Sequence, residues 1–235
     1  MSSRDRDTRR QELADNLAAL EGRLQAACTS SSRDRAEVTL VAITKTWPTT
    51  DAELLRELGV RDLGENRDAE ARDKAASVRG VRWHFVGSVQ TNKARSVASY
   101  ADVVHSLDRP SLCAALDRGA GEAGRALTVL LQVSLDGDVR RGGAPPAAIP
   151  PLADQVAASG HLILGGLMAV APRGADPGPA FDQLSVLSAA LVEAHPGARI
   201  VSAGMSGDLE QAIAAGSTHV RVGTAILGHR STPLR

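Results

Sequence analysis

Short, near-continuously apolar runs recur along the chain, each followed by a segment in which Ala and Leu return at helical spacing. Eight runs read as strands: 38–44, 61–64, 83–86, 103–107, 128–135, 162–170, 199–203 and 219–222. The helical patterns fall at 51–58, 67–78, 92–100, 110–122, 147–159, 181–194 and 208–215. Strands that do not alternate apolar and polar positions, and that are separated by helices, belong to a parallel sheet covered on both faces. Eight such units predict an α/β fold, a single-domain (β/α)8 TIM barrel. An open doubly wound sheet is the alternative, but no Gly-x-Gly-x-x-Gly follows the first strand. Upstream, Leu13, Leu17, Leu20 and Leu24 predict one amphipathic helix within 12–27, broken by the serine-rich stretch 29–35. The expected division is an N-terminal helix and connector over 1–35 and the barrel over 36–235.

Composition narrows the class. The chain has 235 residues, is 43% hydrophobic and carries a formal net charge of zero. That length suits one barrel, and the charge argues against a nucleic-acid groove or an anionic membrane as partner. Aromatics are only 2%, too few for base-stacking platforms. No signal peptide or membrane span is readable, so the expectation is a cytoplasmic protein, with Cys28 and Cys113 as isolated thiols.

The cations change the picture more. Of 27 basic residues only Lys45, Lys74 and Lys93 are lysines. Lys45 follows the first apolar run, where a strand meets its loop. Arginine stays protonated and cannot form an imine, whereas a desolvated lysine attacks an aldehyde. A snorkelling surface cation is the plainer alternative at such a position. At the far end of the chain, small residues crowd the loops after the seventh and eighth strands, Gly204–Asp208 and Gly223–Thr224. Barrels often hold phosphate groups there. Ser206 is expected to cap the helix that follows, and ordinary capping is the competing account of these turns. Two Gly/Pro-rich loops, 136–146 and 171–179, are either lids or plain connections.

These segments also resemble a known family. Val41-Ala42-Ile43-Thr44-Lys45-Thr46, Gly64-Glu65-Asn66 and Trp83 through Lys93 resemble the YggS/PROSC family of pyridoxal phosphate homeostasis proteins. So do Gly165–Ala169, Gly204–Glu210 and Val220–Gly228. The resemblance implies a barrel of PLP fold-type III, like the N-terminal domain of alanine racemase, with pyridoxal 5'-phosphate (PLP) held as an aldimine on Lys45. It implies phosphate binding by Ser202, Ser206, Gly223 and Thr224, and places Arg221 against the pyridine nitrogen. Asn66 and Met168 would line the ring, while His84 and Gly87 shape the end of the third strand; a satisfied core histidine is the alternative for His84. The family commonly shows Lys-x-Gly after the fifth strand, where this chain reads Arg140-Arg141-Gly142-Gly143. The chain therefore lacks a nucleophilic lysine in that loop, although Arg141 keeps the charge.

The expected function is PLP buffering, carriage or delivery to PLP-dependent apo-enzymes, by a monomer or weak homodimer with no strong catalysis. A PLP-dependent amino-acid racemase is the alternative, and a barrel using Lys45 on a sugar aldehyde a more distant one. Racemisation needs an acid/base on each face of the cofactor. The only tyrosine, Tyr100, lies in the helix after the third strand, and the chain ends shortly after the eighth. That favours the binder.

Overall fold

In the computed structural model, which describes residues 3–138 and 141–228, each apolar run pairs in parallel with the next and the last pairs with the first. The strands are β1 (Thr39–Ile43), β2 (Asp62–Glu65), β3 (Arg82–Phe85), β4 (Val103–Leu107), β5 (Leu127–Gln132), β6 (Leu162–Met168), β7 (Ile200–Ser202) and β8 (His219–Val222). They close a barrel in sequence order, so no strand is left with an unpaired edge. The register shifts once between β5 and β6, where Leu130 faces Gly166. Gly166 has φ +145°, and a Cβ there would run into the carbonyl of Ile200, so only glycine fits the close approach of β6 to β7.

Around the barrel lie α2 (Thr49–Glu57), α3 (Asp68–Ser77), α4 (Ala94–Tyr100), α5 (Pro110–Glu122), α6 (Ile149–Ala157), α7 (Gly178–Ala194) and α8 (Leu209–Ala214), with one further turn, α9 (Thr224–Leu227). The expected fold class holds, and three of the local differences from the expected bounds have a clear cause. The fifth strand ends at Gln132 rather than 135, because Ser134 donates instead to the carbonyl of Ala144 in its own loop. The N-terminal helix α1 runs over Ser3–Ser30, well beyond the leucine stripe. Its polar first turns are held by Arg6 on Glu57 (2.7 Å) and Arg9 on Asp51 (2.8 Å). Hydrophobic spacing does not register such contacts. Third, Ser206 does not cap α8: Asp208 precedes that helix, and its Oδ1 accepts from the amide of Met205 at 2.6 Å.

One core cluster sits beneath α4–α7 and contains Phe85, Leu107, Leu116, Val129 and Phe181. A second joins α1 to the barrel through Leu13, Leu20 and Leu24 against Leu209, Ile213, Ile226 and Leu227. Burying a leucine contributes about 1.5–3 kcal/mol, so three on one helix fix α1 firmly to the side of the β8 end. Cys28 and Cys113 are both buried as free thiols. No helix among the described residues is long and apolar enough to cross a membrane. The expected division at residue 35 has its outer limits, Met1 and Arg235, outside the described residues, as is Arg140 of the fifth-strand loop.

Candidate functional site

Lys45 lies in the turn two residues past β1, exposed at the C-terminal mouth, and its ammonium has no hydrogen bond or ion pair among the described residues. The backbone on either side of it is clamped. Lys74 Nζ donates to the carbonyl of Thr44 at 2.7 Å, and Glu70 Oε1 accepts from the amide of Thr46 at 2.6 Å. Thr46 has φ +67°, a left-handed conformation rare for a β-branched residue, and the Glu70 contact holds it there. Lys74 is itself buried, bonded to Glu65 Oε1 (2.5 Å) and Glu70 Oε1 (2.7 Å). A lysine fixed by three acceptors is a structural cation. Lys93 is exposed and lies 3.9 Å from Asp68. Of the three lysines, Lys45 alone presents an uncommitted amine at the mouth.

The β8 end closes on the same turn. A Cβ at Gly223 would stand 3.2 Å from the carbonyl of Ile43, so the last strand packs tightly against the root of the Lys45 loop. Ser206 Oγ accepts from the amide of Ala225 at 3.4 Å, which joins the β7–α8 loop to the first turn of α9. Ser206, Gly223 and exposed Thr224 thus gather on one side of the mouth beside Lys45. Across from them, a Cβ at Gly87 would collide with the backbone of Asn66, so glycine lets the β3 end lie against the β2 end. Asn66 Oδ1 and Glu65 Oε2 are buried without a partner. Burial pushes the Glu65 carboxyl up, with the Lys74 ammonium opposing. Met168, 2% exposed, closes the β6 end in a small cluster with Val103 and Leu130.

Below the mouth a series of hydrogen-bonded polar side chains runs through the barrel interior alongside the Val103, Leu130 and Met168 cluster. Arg221 donates from Nη1 to Ser202 Oγ (2.7 Å) and from Nη2 to the carbonyl of Ala169 (3.0 Å). Ser202 Oγ lies 2.9 Å from His105 Nδ1, His105 Nε2 lies 2.8 Å from His84 Nδ1, and His84 Nε2 lies 3.0 Å from Asp62 Oδ1. Arg82 closes the far end on Asp62 at 2.7 Å. Burial holds His105 well below its usual range, reinforced by His84, Arg221 and His219, so its ring is neutral. With Arg221 already donating to it, Ser202 gives its own hydrogen to His105 Nδ1, which leaves Nε2–H to donate to His84 and His84 Nε2–H to Asp62. The whole chain runs in one direction. The sequence reading therefore needs a change at two positions. Ser202 is fully buried with its hydroxyl committed inside the barrel, so its side chain does not join the anion-facing group. His84 is the satisfied core histidine, beneath the mouth rather than on it.

A cleft of about 920 Å3 opens over the ends of β2, β3, β5 and β6, walled by Asn66, Val86, Asp136, Arg141, Val170 and Arg173. Arg141 spends its donors on Asp136 and on the carbonyls of Val170 (3.0 Å) and Ala171 (2.6 Å), and so fastens the two long loops together. A second cleft, about 500 Å3, lies at the opposite end between α1 and the strand starts, lined by Leu17, Leu40, Leu58 and Asp62. It is remote from Lys45. Tyr100 donates its hydroxyl to Asp68 at 3.2 Å, and burial raises its phenol above the ordinary value. No group of three or more ligating side chains suited to a metal occurs among the described residues.

Sequence reasoning missed Glu65, Glu70, Lys74, Asp62 and His105. Lys74 and Glu65 carried a signal: one is among the three lysines, and the other is an acid at the end of a buried strand. Asp62 and His105 interrupt apolar strands, which marks buried polar groups without saying what they meet.

The alanine racemase N-terminal domain family matches residues 16–231 of the chain. A pyridoxal phosphate homeostasis protein of Mycobacterium leprae is 42% identical over 240 residues, covering 94% of this chain and 93% of its own. Among solved structures, PipY of Synechococcus elongatus with PLP bound superposes with a TM-score of 0.81 at 33% identity, over 92% of this chain and all of that one. An alanine racemase of Streptomyces coelicolor gives a TM-score of 0.71 at 19% identity, over 89% of this chain and 58% of its own, a likeness of fold alone.

Proposed function

The chain belongs to the alanine racemase N-terminal domain family and, within it, to the YggS/PROSC pyridoxal phosphate homeostasis proteins, and from that premise we propose that it binds PLP through Lys45 and serves in keeping the cofactor available. The observation that carries this is the free amine of Lys45 standing beside a turn of small residues that can take a phosphate. When bound, the cofactor supplies an aldehyde that condenses with a lysine amine and a conjugated ring that absorbs visible light.

The residues present fit that group. Ser206, Gly223 and Thr224 offer hydroxyls and main-chain amides to the phosphate. Asn66, whose buried Oδ1 lacks a partner, lines the ring together with Gly87 and Met168. Arg221 is buried against a hydroxyl and a carbonyl, with no carboxylate in contact among the described residues. Its charge is thus free to face a pyridine nitrogen, and a guanidinium that keeps its protons leaves that nitrogen unprotonated.

Delivery to apo-enzymes needs an amine that can release the aldehyde, and an exposed lysine suits it. Racemisation needs a second base opposite Lys45. Tyr100, the only tyrosine, is held by Asp68 and kept protonated, which supports a carrier over a racemase. The test is borohydride reduction of the PLP-loaded protein followed by peptide mapping. A pyridoxyl group on Lys45 is expected; a group on Lys74 or Lys93 with none on Lys45 would overturn the assignment. Chiral chromatography after long incubation with L-alanine should find no turnover approaching ~1 s⁻¹.

A further inference from the structure

Three side chains of α1, spaced seven residues apart, donate to the main-chain carbonyls of Ser206, of the group assigned above to the phosphate, and of Ile226 and Leu227, which end the α9 turn that begins at Thr224 of that group. Arg9 Nη2 reaches the carbonyl of Leu227 at 3.1 Å, Asn16 Nδ2 that of Ile226 at 2.8 Å, and Arg23 Nη2 that of Ser206 at 3.0 Å. Seven residues is close to two helical turns, so the three form one polar ladder along the helix, beside the stripe of Leu13, Leu20 and Leu24. The targets are not incidental. Ile226 and Leu227 end α9, a helix of one turn, and a single turn has no stability of its own. Its last carbonyls lack partners within the helix, and α1 supplies them. Ser206 bears the hydroxyl that accepts from Ala225 at the other end of the same turn. Arg9 is anchored in its turn by Asp51 (2.8 Å) and lies 4.7 Å over the ring of Trp47, two residues from Lys45. Arg23 is anchored by Glu210 at 2.8 Å.

We propose that α1 is a strap for the phosphate side of the site, with Arg9, Asn16 and Arg23 as positioning residues that hold α9 and the Ser206 loop at the separation a phosphate requires. This rests on the reading of Ser206, Gly223 and Thr224 as the phosphate group's partners. The strap makes a distinction that plain structural support does not. It acts on the phosphate, whereas Lys45 acts on the aldehyde.

The experiment therefore compares PLP with pyridoxal, which carries the aldehyde without the phosphate, by equilibrium titration of the full-length protein. Asn16→Ala and Arg23→Ala should each weaken PLP binding about fivefold, and the double variant about twenty- to thirtyfold, while pyridoxal binding is unchanged. Competition by inorganic phosphate should weaken in parallel. Arg23→Lys keeps a donor and should restore most of the loss, and Arg10→Ala, on the exposed face of the same helix, should change neither ligand. Equal losses for PLP and pyridoxal would reduce α1 to general support and overturn the strap, as would unchanged PLP binding in the double variant. Wild-type protein that takes up pyridoxal on Lys45 with no preference for PLP would instead overturn the phosphate site itself, and the strap with it.

Discussion

The guanidinium of Arg221 and the hydroxyl of Ser202 meet at 2.7 Å inside the barrel, and through His105 and His84 that contact continues to Asp62 on the far side of the lumen. Strands β8, β7, β4, β3 and β2 are thereby cross-braced by hydrogen bonds in addition to the aliphatic packing of the interior. Ser202, His105 and His84 each bond to a neighbour on both sides, so removing one of them strands two others.

Ser202→Ala is such a removal. It leaves a guanidinium N–H and His105 Nδ1 without partners in a fully buried position. A loss of about 1–3 kcal/mol is expected, and urea unfolding of the apo-protein at neutral pH measures it. A loss below ~0.5 kcal/mol would mean that the interior admits water at that point.

Acid should weaken the fold before the carboxylates titrate. Burial holds His219 down to about 4, with His84, Arg82 and Arg221 adding and Asp62 opposing, and His105 lies well below its usual value. Both bind protons more readily when unfolded, so their contribution is complete above the unfolded value near 6.5 and is lost as pH falls below it. For His219 the loss ends near 4. Between those limits stability should drop by about 1.4 kcal/mol per pH unit for each histidine. Denaturant midpoints at pH 7, 6 and 5 test this; a flat profile that His219→Asn does not alter would exclude it.

Lys74→Met should cost about 3–5 kcal/mol at pH 8, because Glu65 is left buried without its cation. The Glu65 carboxyl is already raised by burial, so protonation relieves the penalty, and the difference from wild type should shrink toward pH 5. Adding Glu65→Gln should recover most of the loss at pH 8. A penalty independent of pH would point to packing rather than charge.

Gly87→Ala should disturb the site without unfolding the barrel. The new methyl group collides with the Asn66 backbone and must push the β2 end away from the β3 end. PLP affinity is expected to fall at least tenfold with a modest change in melting temperature. Unchanged affinity would remove Asn66 from the ring-lining group.

The fold was readable because parallel strands covered on both faces are apolar throughout, and the runs at 103–107 and 219–222 coincide with β4 and β8. Lys45 was legible as a lysine kept where arginine is the rule. What stayed hidden has no period. His84, His105 and Ser202 come from three strands that converge only on closure, and a polar residue inside an apolar run does not reveal its partner. Ser206 was misread as a cap because local sequence favours serine there, whereas the fold turns it toward Ala225. The Arg9, Asn16 and Arg23 ladder lay beside a leucine stripe that already accounted for the helix.

The hydrogen-bonded interior also makes the two ends of the barrel electrically unequal. A permanently cationic group sits beneath the mouth, 6% exposed, while the carboxylate at the other end is matched by Arg82, whose side chain is 62% exposed and bathed in counterions. Field lines from Arg221 emerge through low-dielectric walls toward the mouth, whereas water screens those at the floor. A dianion near the protein should therefore be drawn to the end that bears Lys45, and its capture should slow as salt is added.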